Sequence, residues 1–287
     1  MIGFSFEALG TFWSIDLVEP GEECLEREVK NLAVAFEKRY SRFLPGSEIS
    51  RINRGGVGER ALSAELVEML EFAQRLKRIT DGAFEPNIAH ILEGYGYDRN
   101  YSFKKDVIRL KKQAGEWRVK NGQLLVSGEV GLDLGGLGKG FLIDKIGEHL
   151  VKSGVKNFLI EGGGDLLGTS RARGAPWRLA VEHPLEEGKV IAKVKVVNGS
   201  LATSGGKYRR IGDFHHLIDV ETKKSARRLL AVSVLAAKAL VADAAATAIF
   251  VSKEGVAQRL ADELGVEYLA IYPDMTFETN SDRFELF

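Results

Sequence analysis

Apolar residues recur at two spacings along the chain, and the two periods divide most of it into helices and strands. Leu25, Val29, Leu32 and Phe36 fall at helical spacing and predict a helix over 23–40. Leu66, Leu70, Ala73 and Leu76 predict a second helix after Ser63, a natural N-cap, ending where Gly82 and Pro86 break it. Leu142, Ile146 and Leu150 mark a third over 139–154, with Gly154 placed to close it. Two more helices are expected over 238–253 and 255–265. Strands are expected over 9–18, 157–160, 177–183, 189–197, 215–220, 229–237 and 266–273. In 189–197 the alternation is explicit, with Val190, Ala192, Val194 and Val196 set against Lys193 and Lys195. Residues 116–128 read as a hairpin turning at Asn121-Gly122. The stretches 41–56, 131–141, 161–168 and 202–210 are rich in glycine or other turn residues and read as loops.

Hairpins and crossovers are mixed in this order. The pattern predicts an α+β fold with mixed, largely antiparallel sheets and packed helices, as a single domain over 1–287. Composition does not disturb that picture: 45% of residues are hydrophobic and 28% charged. The 40 basic and 40 acidic residues cancel, so no global field favours nucleic acid or an anionic membrane as partner. No apolar run is long enough to span a bilayer. The single cysteine, Cys24, forbids an internal disulfide and suits a reducing compartment. With no signal-peptide pattern in "MIGFSFEALGTFWSIDL", a cytoplasmic location is expected.

Candidate chemistry begins at "GLDLGGLGKGF" (131–141), which holds five glycines and one lysine. It matches neither common nucleotide fingerprint. A P-loop has glycine five positions before its Gly-Lys and Ser or Thr after it; here Asp133 and Gly140 stand in those places. A glycine loop feeding a helix N-terminus still favours an anion, and Lys139 adds a mobile charge. A tight strand-to-helix turn with a solvated lysine accounts for the same residues. In "VADAAATA" (241–248), Asp243 and Thr247 are four apart and share a helix face. The surrounding alanines let another backbone come close, and the two oxygens suit a hard cation such as Mg²⁺. A carboxylate favoured by the helix dipole is the plainer reading. His215 and His216 point to opposite faces of an extended segment, so one of them at most faces a given site. No Gly-x-Ser-x-Gly elbow and no zinc-binding grouping is present.

Taken in order, "LGTFWSI", "YSRFLPGSEISRIN", "TDGAFEPNI", "GLDLGGLGKGFLIDKI", "IEGGGDLLG", "NGSLATSGGKYR", "HHLID" and "VADAAATAIF" resemble the ApbE family of FAD:protein FMN transferases, from about Leu9 to about Phe250. The resemblance implies an ApbE-like, T-fold-like α+β architecture. It implies FAD as substrate, Mg²⁺ (or Mn²⁺) as cofactor, and transfer of FMN to a threonine hydroxyl of an acceptor protein with release of AMP. It maps Asp133 and Lys139 to flavin-nucleotide contacts, and Leu9 and Phe43 to the ring or ribityl side. Ala83, Phe84 and Glu85 fall on the adenosine side. Gly136, Asp243 and Thr247 map to the metal. His216, which also falls among the flavin contacts, is the candidate base, with Asp243 as a possible assistant.

Departures from the family pattern are Glu85 for Asp, Phe43 for Tyr, His215 for Ser and Glu161 for Asn, with "SGGKYRR" and "DVETKKSA" in place of the usual turns. None removes a metal position. Two alternatives share these motifs: an FAD pyrophosphatase, with water in place of threonine, and a flavin-binding protein without catalysis. The chain has no convincing Asp-x-x-x-Gly-Ala-Thr acceptor of its own, so automodification is not expected.

Overall fold

The structure, a computed structural model, describes residues 2–19, 24–98, 115–207 and 210–287. Glu23 of the first expected helix and Tyr208 and Arg209 of the last glycine-rich stretch lie outside the described residues. Strands β1 (Ile2–Ala8) and β2 (Thr11–Leu17) form a hairpin across Leu9–Gly10, both at positive φ. The sequence predicted only the second arm. Helices α1 (Leu25–Tyr40) and α2 (Glu48–Arg54), strand β3 (Gly58–Ala61) and helices α3 (Ala64–Ile79) and α4 (Ala89–Gly94) come next. Helix α2 falls inside the stretch expected to be turns. Its signal is Ser47, whose Oγ accepts the Ser50 N–H at 3.0 Å as an N-cap. Ser63 precedes α3 as expected but makes no side-chain cap; its N–H donates to Glu48 Oε1 instead.

The hairpin of β4 (Glu116–Lys120) and β5 (Gln123–Ser127) turns at Asn121-Gly122, both at positive φ, as the sequence predicts. Helix α5 (Gly138–Lys152) closes at Gly154, φ 82°. Strands β6 (Phe158–Gly162) and β7 (Asp165–Gly168) then form a hairpin on Gly163-Gly164 where a loop was expected. Strands β8 (Trp177–Glu182), β9 (Val190–Val196) and β10 (Gly199–Gly205) follow, so Ala202–Gly205 belong to a strand rather than a loop. The strand expected over 215–220 is replaced by two short ladders: β11 (Arg210–Ile211) with β12 (Phe214–His215), and β13 (Ile218–Asp219) with β14 (Lys224–Ser225). The chain ends in β15 (Ala231–Ala236), α6 (Ala239–Val251), α7 (Val256–Leu264), β16 (Glu267–Ile271), β17 (Phe277–Thr279) and β18 (Glu285–Leu286).

An eight-stranded sheet in the order β1-β2-β6-β7-β10-β15-β16-β17 organises the molecule, and every ladder pairing among the described residues is antiparallel. The α+β class holds, and no parallel pairing appears there. Strand alternation divides the apolar residues between two cores. Ile15, Ala202, Val232, Val234, Tyr268 and Ala270 face the helices, while Leu201, Ala231, Leu235, Leu269 and Ile271 face β8, β9 and β18. Helix α6 lies within the first core and is buried nearly all round, which its alanines permit and an amphipathic helix would not.

Helices α5 and α6 cap one another. Asp144 of α5 accepts Ala239 N–H at 2.8 Å and Leu240 N–H at 2.9 Å, satisfying donors that the start of α6 leaves open. Burial pushes the Asp144 carboxyl up, and these two donors pull against it. Asp144→Ala is expected to cost about 1–2 kcal/mol, the scale of a lost cap. A urea midpoint lowered at unchanged slope is the expected reading; an unchanged midpoint would mean water replaces the cap without loss.

Candidate active site

A cavity of about 650 Å³ opens between the β1–β2 turn, the C-terminal end of α1, the loop before α4, the glycine loop before α5 and the start of β13. Its size suits a dinucleotide-scale ligand. Leu9, Phe43, Ala83, Phe84, Glu85, Asp133, Gly136, Lys139, His216 and Thr247 all line it. These residues are scattered over most of the sequence and the fold brings them to one cavity. Asp243 is not among the lining residues; it is 2% exposed and contacts the cavity-lining Lys139.

Each side chain has a local reason for its place. Leu9 sits at φ 53° in the hairpin turn, a conformation a bulky residue rarely adopts, which sets its side chain at the cavity edge. The glycine loop meets α6 closely: a Cβ on Gly136 would stand 3.0 Å from Thr247 Cγ2, and one on Gly140 would stand 2.3 Å from the Ala239 carbonyl oxygen. Asp243 Oδ2 accepts the Gly140 N–H at 2.9 Å, so the carboxylate of α6 caps a donor that the buried start of α5 leaves open. Its Oδ1 faces Lys139 Nζ at 3.1 Å. Thr247 Oγ1 lies 3.0 Å from Ser204 Oγ of β10.

Two acidic residues expected to touch nucleotide are committed to the protein. Asp133 accepts the Gly135 N–H at 2.6 Å through Oδ1 and an Arg42 N–H through Oδ2. It therefore shapes its own loop as it lines the cavity. Glu85 accepts from Trp117 Nε1 at 2.7 Å and from the Asn87 N–H at 2.8 Å, and pairs with Lys77. Its carboxylate is turned toward α3 and β4, leaving its stem and backbone at the cavity.

Three residues escaped the sequence reading. Arg42 is almost wholly buried as a side chain. It pairs with Asp133, donates to the Tyr97 carbonyl at 2.7 Å and stacks 4.1 Å from the Phe43 ring centre. In the sequence it stands inside the "YSRFLPGSEISRIN" segment, where only the adjacent Phe43 is given a role. Asp165, at the start of β7, is 2% exposed and lies 2.7 Å from Lys139 Nζ. Burial pushes its carboxyl up to about 7, against the pull of the Lys139 ammonium and with a push from Asp243. The Gly-Gly-Asp run was its one visible signal. Ser204 was hidden in a stretch read as loop.

The two histidines separate as expected, although His216 lies in the bend between β12 and β13 rather than in a strand. His216 lines the cavity, its ring 6.4 Å from that of Tyr97. His215 is buried against Phe250, with Nε2 2.9 Å from the Ala226 carbonyl. Burial holds its pKa below the ordinary 6.5, so the folded state favours the neutral ring while the unfolded chain takes up a proton near 6.5. The stability His215 supports is therefore complete above that pH and falls as pH drops below it. Urea midpoints taken at about pH 7.5 and pH 5.5 are expected to fall further for the unaltered chain than for His215→Gln. Equal falls would remove His215 as the acid-sensitive group.

The donor set fits a hard divalent cation. Asp243 and Asp165 present carboxylates to the Lys139 ammonium, Thr247, one turn from Asp243, and Ser204 add a pair of hydroxyls, and Asp165 Oδ2 has no well-formed hydrogen bond among the described residues. No grouping of three or more His, Cys, Asp or Glu with metal-binding geometry exists among the described residues, so a cation here depends on hydroxyl, backbone and ligand oxygens as well.

The model of the ApbE family matches residues 9–270. The chain belongs to the ApbE family. Among its curated relatives, the FAD:protein FMN transferase of Vibrio cholerae is 25% identical over all of this chain and 92% of that protein. The one from Rhodobacter capsulatus is 30% identical over 80% of this chain, which spans about half (47%) of that longer relative. The solved flavin transferase ApbE from Vibrio cholerae superposes with a TM-score of 0.84 at 22% identity, over 97% of this chain and 96% of that one. The ApbE protein from Thermotoga maritima gives 0.84 at 23%, with the same coverage. These structural likenesses establish the fold. No helix among the described residues is long and apolar enough to cross a membrane.

Proposed function

We propose that this ApbE-family chain is an FAD:protein FMN transferase: FAD is its substrate, and the FMN half moves to a threonine hydroxyl of an acceptor protein while AMP leaves. The observation that carries this reading is the convergence of the glycine loop, Lys139 and the Asp243–Thr247 face of α6 on one dinucleotide-sized cavity. The motif series and the named relatives support it.

Leu9, Phe43 and the neighbouring Arg42 form the end of the cavity that suits a flat aromatic ring. Ala83, Phe84 and the loop around Glu85 form the end assigned to adenosine. The diphosphate lies between them, against the Gly135–Gly136 backbone, with Lys139 contributing positive charge. Gly136, Asp243 and Thr247 would hold Mg²⁺, which supplies charge neutralisation on the diphosphate and on the departing AMP. In the step itself a bond forms from the threonine Oγ to the FMN phosphorus, and the bond from that phosphorus to the AMP oxygen breaks. His216 takes the hydroxyl proton, since a neutral alcohol is a poor nucleophile. A single cysteine suits a reducing compartment, and we place the reaction in the cytoplasm.

The test is AMP and FMN release from FAD with Mg²⁺, with and without an acceptor domain. AMP release that requires the acceptor and stops with EDTA supports transfer. AMP with free FMN at equal rate in both reactions would replace the threonine by water, as a pyrophosphatase. FAD bound and unaltered under every metal would leave a binding protein.

A further inference from the structure

We infer that Lys139 is a placeholder for the divalent cation, and that Asp165 is the positioning residue that keeps the displaced ammonium at the site when the cation binds Asp243. This rests on the metal-dependent reading above. The Lys139 Nζ lies 2.7 Å from Asp165 Oδ2 and 3.1 Å from Asp243 Oδ1. Both carboxylate side chains are 3% exposed and Lys139 is 15% exposed. One ammonium therefore faces two buried carboxylates and leaves the cluster one positive charge short.

The remaining contacts say which oxygens are held. Asp243 Oδ2 is fixed by the Gly140 N–H, so Oδ1 is the oxygen a cation can take. Among the described residues, Asp165 Oδ1 receives only a long 3.4 Å contact from the Thr203 N–H. Its Oδ2 has no well-formed hydrogen bond, so the charge of Lys139 is what balances it. A cation at Asp243 Oδ1 repels Nζ from that oxygen, and Asp165 is the second anchor already in contact. From there the flexible lysine still reaches the cavity it lines, on the side assigned to the diphosphate. Without Asp165, Asp243 is the carboxylate that remains in contact with Lys139 in the buried cluster, and cation and lysine would compete for it outright.

The charge count makes the test. At mildly alkaline pH the native cluster carries two negative charges and one positive. Lys139→Gln leaves two negative, Asp165→Asn leaves none in excess, and the double variant restores an excess of one. Binding of Mn²⁺ to the full chain, without FAD or acceptor, is followed by the electron paramagnetic resonance of free Mn²⁺ at mildly alkaline pH, with Mg²⁺ as competitor. Lys139→Gln is expected to bind about tenfold tighter than the native chain and Asp165→Asn about tenfold weaker. The double variant is expected within about threefold of native. A double variant as weak as Asp165→Asn would mean that removing the ammonium does not free the site, and that result overturns the inference, as does Lys139→Gln binding no tighter. If circular dichroism shows Asp165→Asn unfolded, the comparison of Lys139→Gln with native decides alone. Cation binding with the variants in another order defeats the placeholder and leaves the metal reading intact. No binding by any variant defeats both.

Discussion

Asp243→Asn is expected to lower metal-dependent AMP release from FAD by about 10²–10³-fold while leaving the fold intact. The substitution is chosen because the two carboxylate oxygens do different things. One accepts the Gly140 N–H and caps α5, and an amide oxygen can keep that bond. The other faces Lys139 and is the oxygen proposed for the cation; an amide NH₂ there donates and cannot bind a metal. The loss should therefore appear in turnover, with circular dichroism and the urea midpoint close to native. Raising Mg²⁺ should recover little of it, because the ligand itself is gone. Activity within about twofold of native would remove Asp243 from the chemistry and leave it a helix cap.

Gly140→Ala is expected to damage both stability and turnover, although alanine is the better helix former by up to about 1 kcal/mol. The added methyl would stand 2.3 Å from the Ala239 carbonyl oxygen, 2.6 Å from its carbon and 2.8 Å from Asp243 Cβ. Two of these atoms are backbone, so no side-chain rotation relieves the contact. Helices α5 and α6 must separate, at a cost on the order of 1–3 kcal/mol. The same separation breaks both trans caps and draws Asp243 from Lys139. A fall in urea midpoint together with a loss of AMP release is the expected pair. A native-like midpoint would mean that the helices can slide apart at little cost.

Much of this architecture is legible in the sequence where one face of an element is buried. Helices α1, α3 and α5 announce themselves because Leu, Val and Phe recur on one side only. The hairpin at Asn121-Gly122 is legible because its turn demands residues that tolerate positive φ. Helix α2 was obscured because Pro45, Gly46 and Gly55-Gly56 flank a helix of seven residues. The Gly163-Gly164 turn and Ala202–Gly205 were misread because glycine and serine serve tight hairpins and loops alike.

The site was legible in a different way. The Asp243–Thr247 spacing and the glycine loop could be read from residues alone; that they meet was implied only by the family resemblance, which maps both to one metal. Their meeting depends on Gly140, whose missing side chain brings the two helices together. Arg42 and Asp165 stand inside the family motifs but were given no role, because their importance lies in burial and in partners 91 and 26 residues away, Asp133 and Lys139. Single-sequence periodicity carries no such long-range information.

The most direct test of the central claim is the intact mass of an acceptor domain carrying a threonine flavinylation motif, after incubation with the purified chain, FAD and Mg²⁺. The account predicts a gain of one FMN moiety, absent with EDTA, absent when the acceptor threonine is replaced by alanine, and nearly absent with Asp243→Asn. An unmodified acceptor, in a reaction where FAD is nonetheless split to AMP and free FMN, would contradict transfer and make this cavity the site of a pyrophosphatase.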